Sequence, residues 1–200
     1  MDLQEFQKDA VKTESKVESV NVNLEYLAAI LQISICTGNL LDQIKKNVYY
    51  GAPIDSEKRA EYVKGIIEAM DTKALFMEDP TADTSILEVN TRLFHAIIGV
   101  VTEGTELLEN LTDGDLDTVN LLEEMGDINW YQAIAMDELN ADWGQMLSKI
   151  IAKLKKRYPD QFKSDDAINR DLQSEREILE DIKHELKTES SESNTEKVAD

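Results

Sequence analysis

Residues 95–111 read HAIIGVVTEGTELLENL, and residues 120–131 read NLLEEMGDINWY. Both stretches space their apolar side chains by threes and fours, as an amphipathic helix does. Leu93, Ile97, Val101, Leu108 and Leu111 form the first stripe; Leu121, Met125, Ile128 and, further on, Leu139 form the second. No segment alternates apolar and polar with period two, so the reading predicts an all-α chain without strands. Acids are set into the two stripes. Glu103 and Glu106 stand at i, i+3, and Glu124 and Asp127 repeat that spacing, so each pair shares a helix face.

Working outward, the same periodicity predicts helices over roughly 3–15, 23–48, 56–77, 87–111, 116–140 and 143–158. The three prolines, Pro53, Pro80 and Pro159, fall between these segments, where helices stop. The polar run from Glu78 to Thr84 reads as a linker. Beyond Phe162 the composition shifts: residues 164–200 hold 12 acids against 5 lysines and arginines. Ile168, Leu172, Leu179, Ile182 and Leu186 keep a helical rhythm that Glu175 interrupts. A further helix to about residue 187 is expected, as a short coiled-coil seam or packing arm. The last dozen residues, ESSESNTEKVAD, read as disordered.

Across 200 residues, 41 acids oppose 21 lysines and arginines, a formal net charge of −20. That balance excludes general nucleic-acid binding, which needs clustered cations to displace counterions, and docking on anionic membranes. It leaves room for a small anionic substrate, because a bound metal reverses the charge locally. Cys36 is the single cysteine, so the chain has no internal disulfide. The N-terminus is polar, and no window reaches the about 18 apolar residues of a membrane span. These features predict a soluble, cytoplasmic protein.

Two helices packed antiparallel would bring Glu103, Glu106, Glu124 and Asp127 together. Two carboxylates about 4 Å apart repel by about 4 kcal/mol at an effective dielectric of about 20. Four need protons or cations, and hard divalent ions with oxygen ligands meet that need. The alternative is a solvated acidic face, common on helices in so acidic a chain. Gly104 and Gly126 lie beside the acids and would let the helices approach closely. Trp130 and Tyr131 follow Asp127 by one turn and suit either stacking on a base or filling a core. His95 lies two turns before Glu103, within reach of a substrate. The basic run KLKKRY from Lys153 fits a solvated helix end that favours the C-terminal dipole.

The stretch from about Thr91 to Phe162 resembles the MazG-type all-α NTP pyrophosphohydrolases. That family carries EExxE, a spacer, then ExxD. Here the motifs read Thr102-Glu-Gly-Thr-Glu106 and Glu124-Met-Gly-Asp127, with 17 residues between Glu106 and Glu124. The surrounding text, with Lys153-Leu-Lys-Lys-Arg-Tyr-Pro-Asp-Gln-Phe162, is similar to the small, often phage-encoded members. Thr102 stands where the family has its leading Glu, which bears on a second metal ion. The resemblance implies an antiparallel helical bundle that cleaves a (d)NTP between the α- and β-phosphates, giving (d)NMP and pyrophosphate in nucleotide-pool control. It implies Mg2+, with Mn2+ as an alternative, held by Glu103, Glu106, Glu124 and Asp127. It also implies Lys153 and Arg157 on the phosphates, and a homodimer or higher oligomer. Host cytoplasm is the expected location if the chain is phage-encoded.

The N-terminal half repeats the second. Residues 22–31 align with 89–98 at an offset of 67, which continues through Asn39-Leu-Leu-Asp42 against Glu106-Leu-Leu-Glu109. After a loop at 47–55 the offset becomes 62. Cys36, Asn39, Tyr62 and Gly65 then stand where the second copy has its four acids. The chain is thus read as a degenerate half (1–77), a linker (78–85), a catalytic half (86–163), an acidic amphipathic helix (164–188) and a tail (189–200), with the two halves forming an internal pseudo-dimer. In that arrangement the first half could line the base pocket, with Tyr49 and Tyr50 as candidates. Two other functions stay open: a non-catalytic nucleotide-binding or interaction protein on the same scaffold, and a structural adaptor whose tail zips to a partner.

Overall fold

The computed structural model describes residues 1–79, 81–112, 114 and 116–180. The chain is mostly helical, as an all-α reading requires. In order it runs α1 (Leu3–Lys12), β1 (Val20–Val22), α2 (Leu24–Tyr50), α3 (Ser56–Met70), a 3-10 turn (Lys73–Phe76), β2 (Ser85–Leu87), α4 (Thr91–Thr112), α5 (Thr118–Glu138), α6 (Trp143–Arg157) and α7 (Ser164–Ile168). Residues 172–180 are also helical. The single acidic helix expected over 164–188 is therefore broken at 169–171, into α7 and the helix at 172–180; its expected remainder and the expected tail lie outside the described residues.

Short polar side chains start the helices by accepting otherwise orphaned backbone N–H groups. Asp2 accepts from Glu5, Asn23 from Tyr26, Asp55 from Glu57 and Lys58, Asn90 from Leu93, Asp117 from Val119 and Asn120, and Asp142 from Gln145. Gly51 ends α2 in the left-handed region at φ 70°, with its own N–H on Asn47 and that of Ala52 on Lys46.

The chain divides into two compact units. One comprises Met1–Glu18, Val89–Leu154 and the segment from Gln173; the other comprises Ser19–Glu88 and Lys155–Leu172. Helix α1 therefore groups with α4 and α5, not with the half that follows it in sequence. In the first unit, Ala10, Ala133, Met136 and Trp143 form a core, with Phe6, Trp130, Ala141 and Met146 packed on it. Arg92 ties three segments of this unit together. Its guanidinium forks onto Glu14 (2.9 and 2.8 Å) and reaches Asp137 and Glu138 at 2.8 and 2.9 Å. The Glu14 side chain is only 1% exposed, a depth a carboxylate tolerates when paired this fully.

In the second unit α2 meets α3 through small residues: Ala29 and Cys36 on one helix, Gly65 and Ala69 on the other. Tyr50 and Tyr158 both meet the ring of Phe162, at 5.6 and 5.4 Å, which fastens the chain after α6 to the end of α2. Strands β1 and β2 pair antiparallel in the register Val20↔Leu87, Asn21↔Ile86, Val22↔Ser85.

Several sequence expectations need correcting. The two strands are real; three residues are too few to carry a period-two signal. Helix α3 stops at Met70 instead of running to 77, giving way to the 3-10 turn. The apolar stripes of α4 and α5 are not buried faces: Ile97 is 61% and Leu111 74% exposed on α4, with Val101 and Leu108 exposed as well. Met125 and Leu139 are exposed on the second stripe, while Leu93, Leu121 and Ile128 are half-buried. What α4 and α5 bury is Ala96, Gly99, Asn110, Glu124, Ala133, Ile134 and Met136. By length and mean hydropathy α2 does meet the requirements of a membrane span. Its polar residues Gln32, Ser34, Thr37 and Asn39 interrupt any unbroken apolar run, which is why counting consecutive apolar residues missed it.

Candidate metal centre

Caps at Asn90 and Asp117 fix where α4 and α5 begin. Along α4, Gly99, Glu106 and Asn110 meet Tyr131, Glu124 and Asn120 in turn, so the two helices run antiparallel. Tyr131 lies so close to Gly99 that a Cβ there would sit 2.1 Å from its ring. Gly104 and Gly126, by contrast, have nothing within 4 Å of an added Cβ. The close approach thus lies one turn before Gly104, and the glycines beside the acids do not create it.

Glu103, Glu106 and Glu124 each place a carboxylate oxygen within 4.8 Å of the others. Glu124 is 4% exposed, Glu103 is half-buried and Glu106 is exposed. Asp127 is exposed and outside this triad, yet its charge still acts on Glu103 and Glu106. Burial, then a hydrogen bond shared with Glu124, then the charges of Glu106, Glu124 and Asp127 push the Glu103 carboxyl above the ordinary carboxylate range. The charge of Glu124 pushes Glu106 up first, with lost hydration and the charges of Glu109 and Asp127 adding to it. Raised values at two of three neighbours mean that like charges are held together without a counter-charge. Three clustered carboxylates are a hard oxygen donor set, so the residues fit a divalent ion such as Mg2+ or Mn2+.

The other expected site residues are scattered. Tyr131 belongs to the site's surroundings: burial first, then the charges of Glu103, Asp127 and Glu106, raise its phenol. Trp130 points elsewhere, donating its indole N–H to Thr13 Oγ1 at 2.8 Å and packing on the α1–α5–α6 core. His95 stands edge-on to Trp130 and Tyr131 at 6.0 and 5.4 Å, with its Nδ1 buried and unpartnered among the described residues. Lys153 is half-buried on α6 and makes no ion pair with the acids among the described residues. Arg157 belongs to the other compact unit, where its guanidinium lies 5.6 Å from the Tyr158 ring centroid.

Two residues escaped the sequence reading. Asn120 Nδ2 donates to Glu124 Oε1 at 2.5 Å, and Asn110 Nδ2 donates to Asn120 Oδ1 at 2.6 Å. Their spacing was a usable signal: Asn120 stands one turn before Glu124, and Asn110 one turn after Glu106.

The chain matches no protein-family model, no curated protein and no solved structure. The resemblance to the MazG-type enzymes is carried by the motif residues alone.

Proposed function

We propose that this protein is a Mg2+-dependent nucleoside triphosphate pyrophosphohydrolase of the MazG type, converting a (d)NTP to (d)NMP and pyrophosphate. The observation that carries this reading is the triad Glu103, Glu106 and Glu124, three carboxylates within 4.8 Å of one another on two facing helices. A divalent ion bound there would offset their repulsion and supply a Lewis acid to the substrate's phosphates. Glu124 is the buried, oriented member; Glu103 and Glu106 face it from α4, and Asp127 adds charge at the rim. Tyr131, in the field of the cluster, is a proposed substrate contact. Lys153 and Arg157 are proposed phosphate contacts on the motif resemblance alone.

We further read the chain as an internal pseudo-dimer of that bundle type. Supporting this, Asn23 and Asn90 cap α2 and α4, Asp55 and Asp117 cap α3 and α5, and both pairs stand at the aligned positions. The β1–β2 register pairs Val20 with Leu87, which are separated by the same offset of 67 residues.

The test is pyrophosphate release from a panel of ribo- and deoxyribonucleoside triphosphates, with Mg2+ and with EDTA. Metal-dependent turnover of one or a few nucleotides is expected. A second reading, a nucleotide-binding or interaction protein without turnover, is favoured by the exposed apolar stripes on both hairpins. Nucleotide binding with no pyrophosphate release across the panel would replace the first reading with the second.

A further inference from the structure

We propose that Asn110 and Asn120 are positioning residues that aim the Glu124 carboxylate at a metal ion. The inference rests on the reading of the acidic cluster as a divalent-cation site. It starts from the chemistry of amides. A side-chain amide nitrogen carries two hydrogens and accepts nothing, while its oxygen only accepts. Asn110 spends its two hydrogens on Asn120 Oδ1 (2.6 Å) and on the Glu106 main-chain carbonyl (3.3 Å). Asn120 must then turn its oxygen toward α4, which leaves its nitrogen facing Glu124. The opposite orientation would set an oxygen against the carboxylate and one NH2 against another. Asn110 is buried at 9% exposure, so the start of this relay is shielded from water. The relay ends on Glu124 Oε1 and does not engage Oε2, the oxygen that an ion would then share with the other acids. Outer partners of this kind orient ligands and raise their basicity.

The first hairpin gives an independent observation. At the positions aligned with Asn110, Asn120 and Glu124 it has Gln43, Lys58 and Tyr62. Gln43 buries both amide atoms without a hydrogen-bond partner among the described residues. Lys58 pairs with its own helix cap, Asp55, at 3.6 Å. The caps survive in that hairpin, whereas the relay is missing together with the carboxylate it would serve. A relay needed only to hold two helices together would have survived with the caps.

The experiment is a Mn2+ titration of the full chain, followed by the loss of the free-ion electron paramagnetic resonance signal. It covers the wild type, Asn120→Leu, Asn110→Leu and the double variant, with the thermal unfolding of each metal-free protein recorded alongside. Asn120→Leu should weaken Mn2+ binding by about 10-fold or more, and Asn110→Leu by less. The double variant should bind no more weakly than Asn120→Leu alone, because Asn110 acts only through Asn120. Two purely structural lesions would instead add in unfolding temperature and leave the affinity of the folded protein unchanged. Asn110→Ser, which keeps a donor, replaces Asn110→Leu if that variant does not fold. Wild-type affinity in Asn120→Leu would overturn the positioning role and leave the metal site standing. A wild type that binds no Mn2+ at millimolar concentration would remove both.

Discussion

The α2–α3 and α4–α5 hairpins start alike and carry two different faces. Each pair of helices starts from an Asn cap and an Asp cap at aligned positions, and Ala29 and Ala96, also aligned, are both buried. Helix α2 has 27 residues and α4 has 22, which accounts for the fall in offset between the first and second helices. The contact aligned with Glu103 and Asp127 is Cys36 against Gly65. There the thiol is 4% exposed and packs where a glycine Cβ would come within 2.9 Å of its sulfur. Gln32 donates to that sulfur at 3.3 Å. The first hairpin thus closes with a neutral, close-packed contact, and the second holds mutually repelling carboxylates at the same place. Since the scaffold closes without the acids, their retention in the second hairpin is not explained by folding. That contrast, more than the acid count, argues for a ligand at α4–α5.

The largest effect that could break this comparison is on metal binding. Glu124→Gln keeps the volume and removes the charge of the most buried member of the triad. Mn2+ affinity and any nucleotide turnover should fall by more than the about 10–100-fold typical of outer partners. Tyr62→Phe, at the aligned position of the first hairpin, should leave both unchanged. Equal losses from the two variants, or none from either, would mean that the hairpins do not differ in the way the geometry indicates.

Next come the glycines, which report on packing. Gly99→Ala should destabilise by about 3 kcal/mol in urea unfolding, because the new methyl overlaps the Tyr131 ring and forces that ring or the helix to shift. Gly65→Ala should cost about 1 kcal/mol, since the flexible end of Gln32 can move although the Cys36 sulfur yields less readily. Gly104→Ala meets nothing and should gain up to about 1 kcal/mol of helix propensity. A loss at Gly104 as large as that at Gly99 would show that a surface absent from the single chain covers the acidic end of α4.

These glycines also mark where the sequence stops being legible. Periodicity identifies which side chains share a helix face, so the six long helices were readable to within a few residues, apart from the early end of α3. The i, i+3 acids were readable for the same reason. Periodicity does not say whether a neighbour covers the face. Ile97, Val101, Leu108 and Leu111 form a regular stripe and are nevertheless exposed. Which glycine admits a ring depends on the register between two helices, and nothing local to Gly99 or Gly104 encodes that. Trp130 was ambiguous because its partner, Thr13, lies 117 residues away. Asn110 and Asn120 each stand one turn from a motif acid, which the sequence shows, but only the register between the helices sets them end to end.

A smaller effect tests whether the scaffold really is shared. Asp55→Ala and Asp117→Ala each remove a side chain that accepts two backbone N–H groups at the start of α3 or α5. Each should cost about 1 kcal/mol, and the two costs should agree within measurement error. A cap that matters in only one hairpin would weaken the case for a repeat.

The smallest effect concerns the sign of the charge on Glu103 in the absence of metal. Its carboxyl is raised above the ordinary value by burial and by its acidic neighbours. A carboxyl raised in the folded state keeps its proton longer there than in the unfolded chain. Stability therefore falls as pH rises from the unfolded value through the folded one, and the deficit persists at neutral pH. Glu103→Gln lacks that deficit and can still donate a hydrogen bond to Glu124. At neutral pH with EDTA, the variant should unfold at a higher temperature than the wild type, and the gap should close on acidification below the ordinary carboxylate range. Adding Mg2+ should reverse the order, because binding to the native state stabilises the protein that binds more tightly. The first hairpin has no such charge at Cys36, so Cys36→Ser should show neither the pH-dependent gap nor the reversal. If Glu103→Gln melted with the wild type at neutral pH and ignored Mg2+, the carboxylates would be solvated side chains like the others on this acidic surface, and the two hairpins would differ in composition only.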